Sequence, residues 1–275
     1  MRTYIILCDF LSPYSWHSET SKSENFLSAT PIIVPITMAG ERLKTYVRGL
    51  DQRIGGGIPE KHLVLVAGRA GTMKSSLAYS IMHNAAKTDA RRGIYVTLEQ
   101  SRESLVEHMT NLGMDPKSIK GNGGIIVVDL ARLRKETQEK EGQTPSDWTQ
   151  AIITIVNNYK LKFGCNLFVL DSLAALYSIH EFKNPRNDIF LFFDKIRELG
   201  MTTLLISETF EADKLYFGQY GVEDFLADGI FHIDLEKDGR NVNLFLSVVK
   251  MRTTVHDRSY FPLIVEKGGF EIVTS

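Results

Sequence analysis

The run Gly68-Arg69-Ala70-Gly71-Thr72-Met73-Lys74-Ser75-Ser76 carries the residue types of a phosphate-binding loop, with one exception. Gly68, Gly71, Lys74 and Ser75 fit the form G-x-x-x-x-G-K-[ST], and Met73 stands where that form has glycine. Consecutive backbone N–H groups and a helix N-terminus wrap phosphates, a lysine ammonium reaches the terminal ones, and a serine hydroxyl ligates magnesium. An ordinary strand-to-helix turn is the plainer reading, but Lys-Ser at this offset, after an apolar strand and before a helix, favours phosphate. Met73 itself has two readings. A position that demands positive φ or close backbone approach suits glycine and not methionine. A position already in the helix keeps its N–H for the ligand and turns its side chain away. We take the second, because the rest of the loop is intact.

Further candidates follow other apolar runs. In "YVTLEQS", Glu99 ends a strand expected beside the phosphate loop, where a carboxylate can orient and deprotonate an attacking water. It is equally suited, by position alone, to a solvated glutamate at a helix N-terminus. In "NLFVLDS", Asp171 ends a strand where an acid can hold hydrated magnesium opposite Ser75. Ser207 and Glu208, after "TTLLI", stand where polar groups can sense a γ-phosphate and pass its state to the following segment. "KMR" ends a later strand with Lys250 and Arg252 on one side at i and i+2 and no nearby acid, either a solvated edge or an anion site.

The elements that must position these groups are legible as an alternation. "LVLVA", "GIYVTL", "GIIVVDL", "NLFVLD" and "TTLLIS" are continuous apolar runs, as in parallel strands buried on both faces. Between them "KSSLAYSIMHNAAKT", "RESLVEHMTNLG", "DWTQAIITIVNNYKLKFG" and "RNDIFLFFDKIRELG" have helical spacing, several ending in glycine. The expected fold is α/β: a doubly wound, mainly parallel sheet with helices on both faces. After Glu208, "GIFHIDLE", "VNLFLSVVKM", "YFPLIVEK" and "GFEIV" read as hairpin-connected antiparallel strands extending it.

A chain of 275 residues, 43% hydrophobic and 24% charged, holds enough apolar material for one large α/β domain. Its formal net charge of -1 gives no global attraction to nucleic acid or to an acidic membrane surface. Cys8 and Cys165 lie far apart with no metal-site spacing, and no apolar run is long enough to span a membrane, so a reducing, cytoplasmic setting is expected. Residues 1–42, Ser-rich and without sustained periodicity, are expected to form a loosely ordered extension. Alternatively, translation begins at Met38. Residues 43–275 form the expected domain.

"VRGLDQRIGGGIPEKHLVLVAGRAGTMKSS", "YVTLEQSRESL", "FVLDSLAAL", "LLISET", "YGVEDFLADGIFHI" and "VVKMRTTVHDRSYFPLIVEKGGFEI" together resemble the KaiC branch of the RecA-like ATPases, particularly its single-domain archaeal members. The resemblance covers about residues 46–275 in order. Its most specific parts are "GLDQRIGGGIP" and "KMRTTVHDRSYFP". It implies a RecA-like fold, ATP and Mg2+ as ligands, Glu99 as catalytic base, and Lys250 and Arg252 reaching the γ-phosphate held by a neighbouring subunit. A ring or filament follows, a hexamer among the forms, with nucleotide between protomers. Met73, and Gln100 where many members have a second glutamate, depart from the pattern and imply slow hydrolysis.

Three functions are therefore carried forward. The first is a regulatory ATPase that assembles with itself and passes its nucleotide state to a protein partner. The second is a DNA-binding recombination ATPase, disfavoured because Glu211, Asp213, Glu223, Asp224 and Asp228 outnumber Lys214 in the long loop that would contact phosphates. The third is a scaffold cemented by nucleotide without turnover. His180, His232 and His256 share no ligand spacing, "RLRKETQEKEGQ" reads as a solvated helix end or insertion, and the aromatics of "FLFFDKIRELG" read as core.

Overall fold

The computed structural model describes residues 40–141, 147–209 and 216–274, with backbone alone for 136–141. The first elements are small: β1 (Arg42–Leu43), β2 (Val47–Arg48), α1 (Leu50–Arg53) and β3 (Ile58–Pro59). The alternation follows as β4 (Leu63–Gly68), α2 (Lys74–Thr88), β5 (Arg92–Thr97), α3 (Arg102–Asn111), β6 (Gly124–Asp129), α4 (Leu130–Glu141), α5 (Trp148–Phe163), β7 (Leu167–Asp171), α6 (Leu173–Ile179), α7 (Pro185–Glu198) and β8 (Thr202–Glu208). The short α8 (Glu223–Leu226) then leads into β9 (Gly229–Asp238), β10 (Asn241–Met251), β11 (Tyr260–Glu266) and β12 (Gly269–Ile272).

Ten of these strands form one sheet, ordered β2-β12-β11-β10-β9-β4-β8-β7-β5-β6 among the described residues. The block from β9 to β6 is parallel throughout. The expectation that every strand after Glu208 is antiparallel is corrected at β9, which pairs in parallel with β4 before β10 to β12 turn back in antiparallel register. A second correction concerns β5: β8 and β7 stand between it and β4. "RLRKETQEKE" lies within the helix α4.

The period-2 alternation of side chains divides each strand between two apolar layers. Val64, Val66, Tyr95, Val169 and Ile206 enter the layer under α2 and α3, where Leu77, Ile81, Met82 and Leu105 pack. Leu63, Leu65, Ile94, Phe168, Leu170 and Leu205 enter the opposite layer with Ile152, Leu173, Ile189, Phe192 and Phe193 of α5, α6 and α7. Phe192 and Phe193 are thus core as expected, whereas Phe190 and Leu191 of the same run are exposed.

The segment Gly49–Pro59 is folded by its glycines. Asp51 accepts hydrogen bonds from the Thr45 backbone N–H (2.9 Å) and hydroxyl (2.7 Å), while Leu50, Ile54 and Ile58 are buried. Gly57 sits at φ +131°, and a Cβ there would come within 2.4 Å of the Leu43 carbonyl oxygen. Arg42 donates to Ile54 O, Gly57 O and Thr254 Oγ1, and Arg53 pairs with Asp257 at 3.2 Å. The two most distinctive stretches of the sequence, far apart along the chain, therefore brace one another.

Candidate nucleotide site

The loop Gly68–Met73 joins the carboxyl end of β4 to α2, where ligands of open α/β sheets bind. Gly68 is dictated by crowding, since a Cβ would lie 2.2 Å from Ile233 O and 2.7 Å from Thr72 Oγ1. Thr72 is buried and closes the turn by donating from its hydroxyl to Arg69 O at 2.8 Å. The Arg69 guanidinium turns toward β9, donating to Asp234 Oδ1 at 2.7 Å and Leu235 O at 2.7 Å. Gly71, at φ +83°, has open space where a Cβ would project, so the outer side of the loop is free to receive a ligand.

Met73 is corrected in one respect. It is the N-cap of α2, not a helical residue, and its φ of 64° and ψ of 27° lie in the left-handed region. The position is therefore one that favours glycine, at a cost of about 1–2 kcal/mol for another residue. Its side chain does point away as expected, packing half-buried against the layer under α2. The first turn of α2 has no side-chain cap and no acidic residue. By contrast α3, α5, α6 and α7 are capped by Ser101, Asp147, Ser172 and Asn184. The N–H groups at the start of α2 and the positive end of its dipole are left for an anion.

Lys74 is 6% exposed, donates from Nζ to Arg69 O at 2.9 Å and lies 3.8 Å from Glu208 Oε1. Burial pushes its ammonium pKa down, against the pull of the Glu208, Glu99 and Asp171 carboxylates. Asp171 is buried, with Oδ2 accepting from the Tyr95 hydroxyl at 2.6 Å and Oδ1 left without a partner. Desolvation pushes its carboxyl up to about 6, with the Tyr95 hydroxyl and the nearby Ser75 hydroxyl pulling it back, Glu99 raising it further and Lys74 lowering it. An orphaned carboxylate oxygen beside the Ser75 hydroxyl fits hydrated magnesium, which takes one or two protein oxygens and completes its shell with water and phosphate. Ser76 is buried within α2.

Glu99 follows β5, which runs parallel to β7, β8 and β4, and so reaches the same end of the sheet although two strands intervene; there Ser172, next to Asp171, donates a hydrogen bond to Glu99 Oε1. Glu99 is exposed. Ser207 and Glu208 are the last residues of β8 rather than residues beyond it. The Ser207 hydroxyl donates to Phe217 O at 2.7 Å, tying that strand end to the segment before α8. Sequence reasoning missed Tyr95 and Ser172. A phenol inside an apolar strand was the available signal, since a buried hydroxyl seeks a partner.

Lys250 and Arg252 are brought together, but not to this loop. Gly68 registers opposite Ile233, whereas Lys250 registers opposite Ile230, and Arg252 N donates to Asp228 O, one residue before β9. Asp228 N in turn donates to Leu63 O at the start of β4. Five residues of strand, about 17 Å, separate that level from Gly68. The expectation of no nearby acid is overturned: Arg252 donates to Asp228 Oδ1 at 2.9 Å. Both cations also meet the carbonyl end of α8, Lys250 at Asp224 O (2.9 Å) and Arg252 at Phe225 O (2.8 Å). Burial and the neighbouring Arg252 push the Lys250 pKa down. Phe225, whose carbonyl accepts from Arg252, and Val255, which follows Arg252 in the same segment of chain, are exposed apolar side chains.

The acids expected to repel DNA are differently employed. Glu223 is fully buried and accepts from the Tyr177 hydroxyl, Asp224 accepts from Phe217 N, and Asp228 Oδ2 accepts from Leu63 N. Glu211, Asp213 and Lys214 lie outside the described residues. His180, His232 and His256 are separate, the first two edge-on to Phe182 and Phe217 and the third bonded to Thr254 O.

A mainly parallel sheet with a glycine-containing Lys-Ser loop after β4, an acid ending β7 with only β8 between the two strands, and antiparallel strands beyond has the architecture of a RecA-type P-loop domain. The chain belongs to the KaiC family: the family model described as "ATPase: KaiC" matches residues 43–275. It is 24% identical over 233 residues to a circadian clock oscillator protein KaiC of Picosynechococcus, covering 84% of this chain and 44% of that one. It is 27% identical over 235 residues to the circadian clock protein KaiC3 of Synechocystis, covering 85% and 46%. The chain thus spans less than half the length of these curated relatives. The crystal structure of a KaiC-like protein from the archaeon Pyrococcus horikoshii superposes with a TM-score of 0.72 at 24% identity, covering 86% of this chain and all of that one. Among the described residues no helix is long and apolar enough to cross a membrane.

Proposed function

We propose that the protein is a regulatory ATPase that binds Mg-ATP, hydrolyses it slowly, and assembles with itself so that nucleotide lies between protomers. The observation that carries this reading is a division of labour within one chain. Lys74, Ser75, Asp171 and Glu99 gather at one end of the sheet, and Lys250 and Arg252 stand beyond their reach at the other. A site built from both sets needs two copies of the chain.

In this reading the loop N–H groups and Lys74 hold the phosphates, and Ser75 and Asp171 hold magnesium. A magnesium ion held there would supply positive charge against the phosphates. Glu99, oriented by Ser172, takes the proton of the attacking water. Lys250 and Arg252 leave the α8 carbonyls to meet the phosphate of the adjoining protomer, with Phe225 and Val255 burying apolar surface beside them. Met73 is the strained point of the loop, and Gln100 offers an amide that orients water without accepting its proton. A protein partner that reads the nucleotide state, and a cytoplasmic setting, belong to the same reading.

Calorimetry with Mg-ATP tests it, beside turnover measured with and without DNA and the mass of the particle. Binding by the wild type and its loss in Lys74→Ala are expected. A wild type that binds no ATP at millimolar nucleotide sinks the reading. The left-handed Met73 favours one second reading, a nucleotide-held scaffold, whose signature is ATP-dependent assembly without turnover.

A further inference from the structure

An ion pair, hydrogen bonds and the backbone between them link the chain's Lys74 loop to its two distal cations, and one residue sits in the middle of the path. Glu208 lies 3.8 Å from Lys74, and its neighbour Ser207 donates to Phe217 O at 2.7 Å. The N–H of Phe217 is held by the Asp224 carboxylate, at 2.9 Å to Oδ2 and 3.1 Å to Oδ1. The carbonyl of Asp224 accepts Lys250 Nζ at 2.9 Å, and that of Phe225 accepts Arg252 Nη2 at 2.8 Å. Asp224 therefore faces both ways, its side chain toward the strand end beside Lys74 and its main chain toward the cations.

We propose that Asp224 is a positioning residue that couples the phosphate site of one protomer to the Lys250–Arg252 pair which that protomer offers its neighbour. This rests on the two-copy site described above. A phosphate that draws Lys74 away from Glu208 alters the end of β8. Ser207 and Phe217 carry the change to Asp224, and α8 is too short to absorb it without moving its terminal carbonyls. Those carbonyls hold the cations in place, so the nucleotide state of one site sets how readily the next receives its arginine. Asp228 anchors the same arginine but also holds Leu63 N and lies near Arg197, so its removal would disturb the sheet as well. The Asp224 carboxylate, by contrast, bonds to the segment before α8 and not to the sheet.

The test is subunit mixing. Asp224→Ala removes the acceptor for Phe217 N–H, and misplacing the cations by an ångström is expected to lower turnover about 10²-fold. ATP affinity should match the wild type, and the melting curve should still show a cooperatively folded protein. Asp224→Asn retains an acceptor oxygen and is expected to keep most of the turnover. In mixtures, Asp224→Ala should regain activity with Glu99→Gln, which has intact cations to offer, and gain none with Arg252→Ala, which lacks the same function. A wild-type rate for Asp224→Ala overturns the proposal. So does recovery with Arg252→Ala, or no recovery with Glu99→Gln while Arg252→Ala and Glu99→Gln still complement each other; the last result leaves the two-copy site standing. A wild type that neither binds nor turns over ATP fails the functional reading and this inference with it.

Discussion

The Tyr95 hydroxyl binds one oxygen of Asp171 at 2.6 Å and leaves the other, Oδ1, buried without a partner. A structure that keeps a carboxylate in this condition holds it for something other than stability. Desolvation raises its pKa from 3.8 to about 6, so the ionised form is disfavoured in the fold relative to the unfolded chain. The sign follows: without metal, Asp171 subtracts stability increasingly as pH rises through that interval, and above 6 the loss levels off on the order of 3 kcal/mol.

Asp171→Asn should therefore raise the melting temperature of the nucleotide-free, metal-free protein at pH 7.5, and the gain should shrink as pH falls toward 4. The Asn carbonyl still accepts from Tyr95. The same variant should lose magnesium-dependent strengthening of ATP binding. Thermal melts across pH, with and without magnesium, check both halves; a destabilised variant at pH 7.5 would mean that the carboxylate is paired in solution.

At Met73 the usual ranking of alanine and glycine should invert. In a helix interior glycine is the less stable of the two, but a left-handed cap relieves no strain when methionine becomes alanine. Met73→Gly should exceed Met73→Ala in stability by about 1 kcal/mol, both having lost the same apolar packing. Urea titration measures the difference. Met73→Gly should also tighten ATP binding or raise turnover if strain at the cap is what slows the site. Equal nucleotide behaviour in Met73→Gly and the wild type would show the position to be merely permissive.

Gly57→Ala should cost roughly 2–4 kcal/mol, because the new Cβ collides with backbone rather than with a side chain that can move. The clash is with Leu43 O at 2.4 Å, at a φ of +131°. Gly56, at φ +99° but with only the Arg42 side chain near its Cβ position, is the control and should lose less when changed to alanine. Comparable denaturation midpoints for the two variants would discount the close approach.

The parallel core was legible because strands buried on both faces write themselves as uninterrupted apolar runs. "LVLVA" and "NLFVLD" map directly onto β4 and β7. The positions of Lys74, Ser75 and Asp171 at one end of the sheet were legible because each stands at or just after the end of such a run. Strand order was not: nothing local says that β7 and β8 enter between β4 and β5, so the contact of Glu99 with Ser172 had to come from the fold. Nor could a pattern find β2, whose two residues are too few to show a period. The conformation of Met73 was hidden for a different reason. It is set by the geometry of the loop, and the residue that would announce it, glycine, is absent. The pairing of Arg252 with Asp228 spans 24 residues and depends on β9 lying parallel to β4, which the turn signals alone did not reveal.

The separation of Arg252 from Gly68 by the length of β4 makes a prediction about which chain an arginine serves. A guanidinium at that distance cannot act on the phosphates of its own loop, and its present partners, Asp228 and Phe225 O, are ones that a neighbour's phosphate can outbid in charge. Arg252→Ala should lower turnover with the protomer still folded, by a factor of about 10³–10⁵ if it acts as arginine fingers do. Glu99→Gln should lower it by about 10²–10⁴ with ATP binding nearly intact. Each protein is then inactive for a different reason. When the two are mixed under conditions where subunits exchange, an Arg252→Ala protomer supplies an intact loop with Glu99, and a Glu99→Gln protomer supplies Lys250 and Arg252 to it. Activity above the sum of the two separate proteins is the expected result. Strict additivity, with exchange demonstrated by mass spectrometry of the mixed particles, would return both residues to a single chain and dismantle the two-copy site.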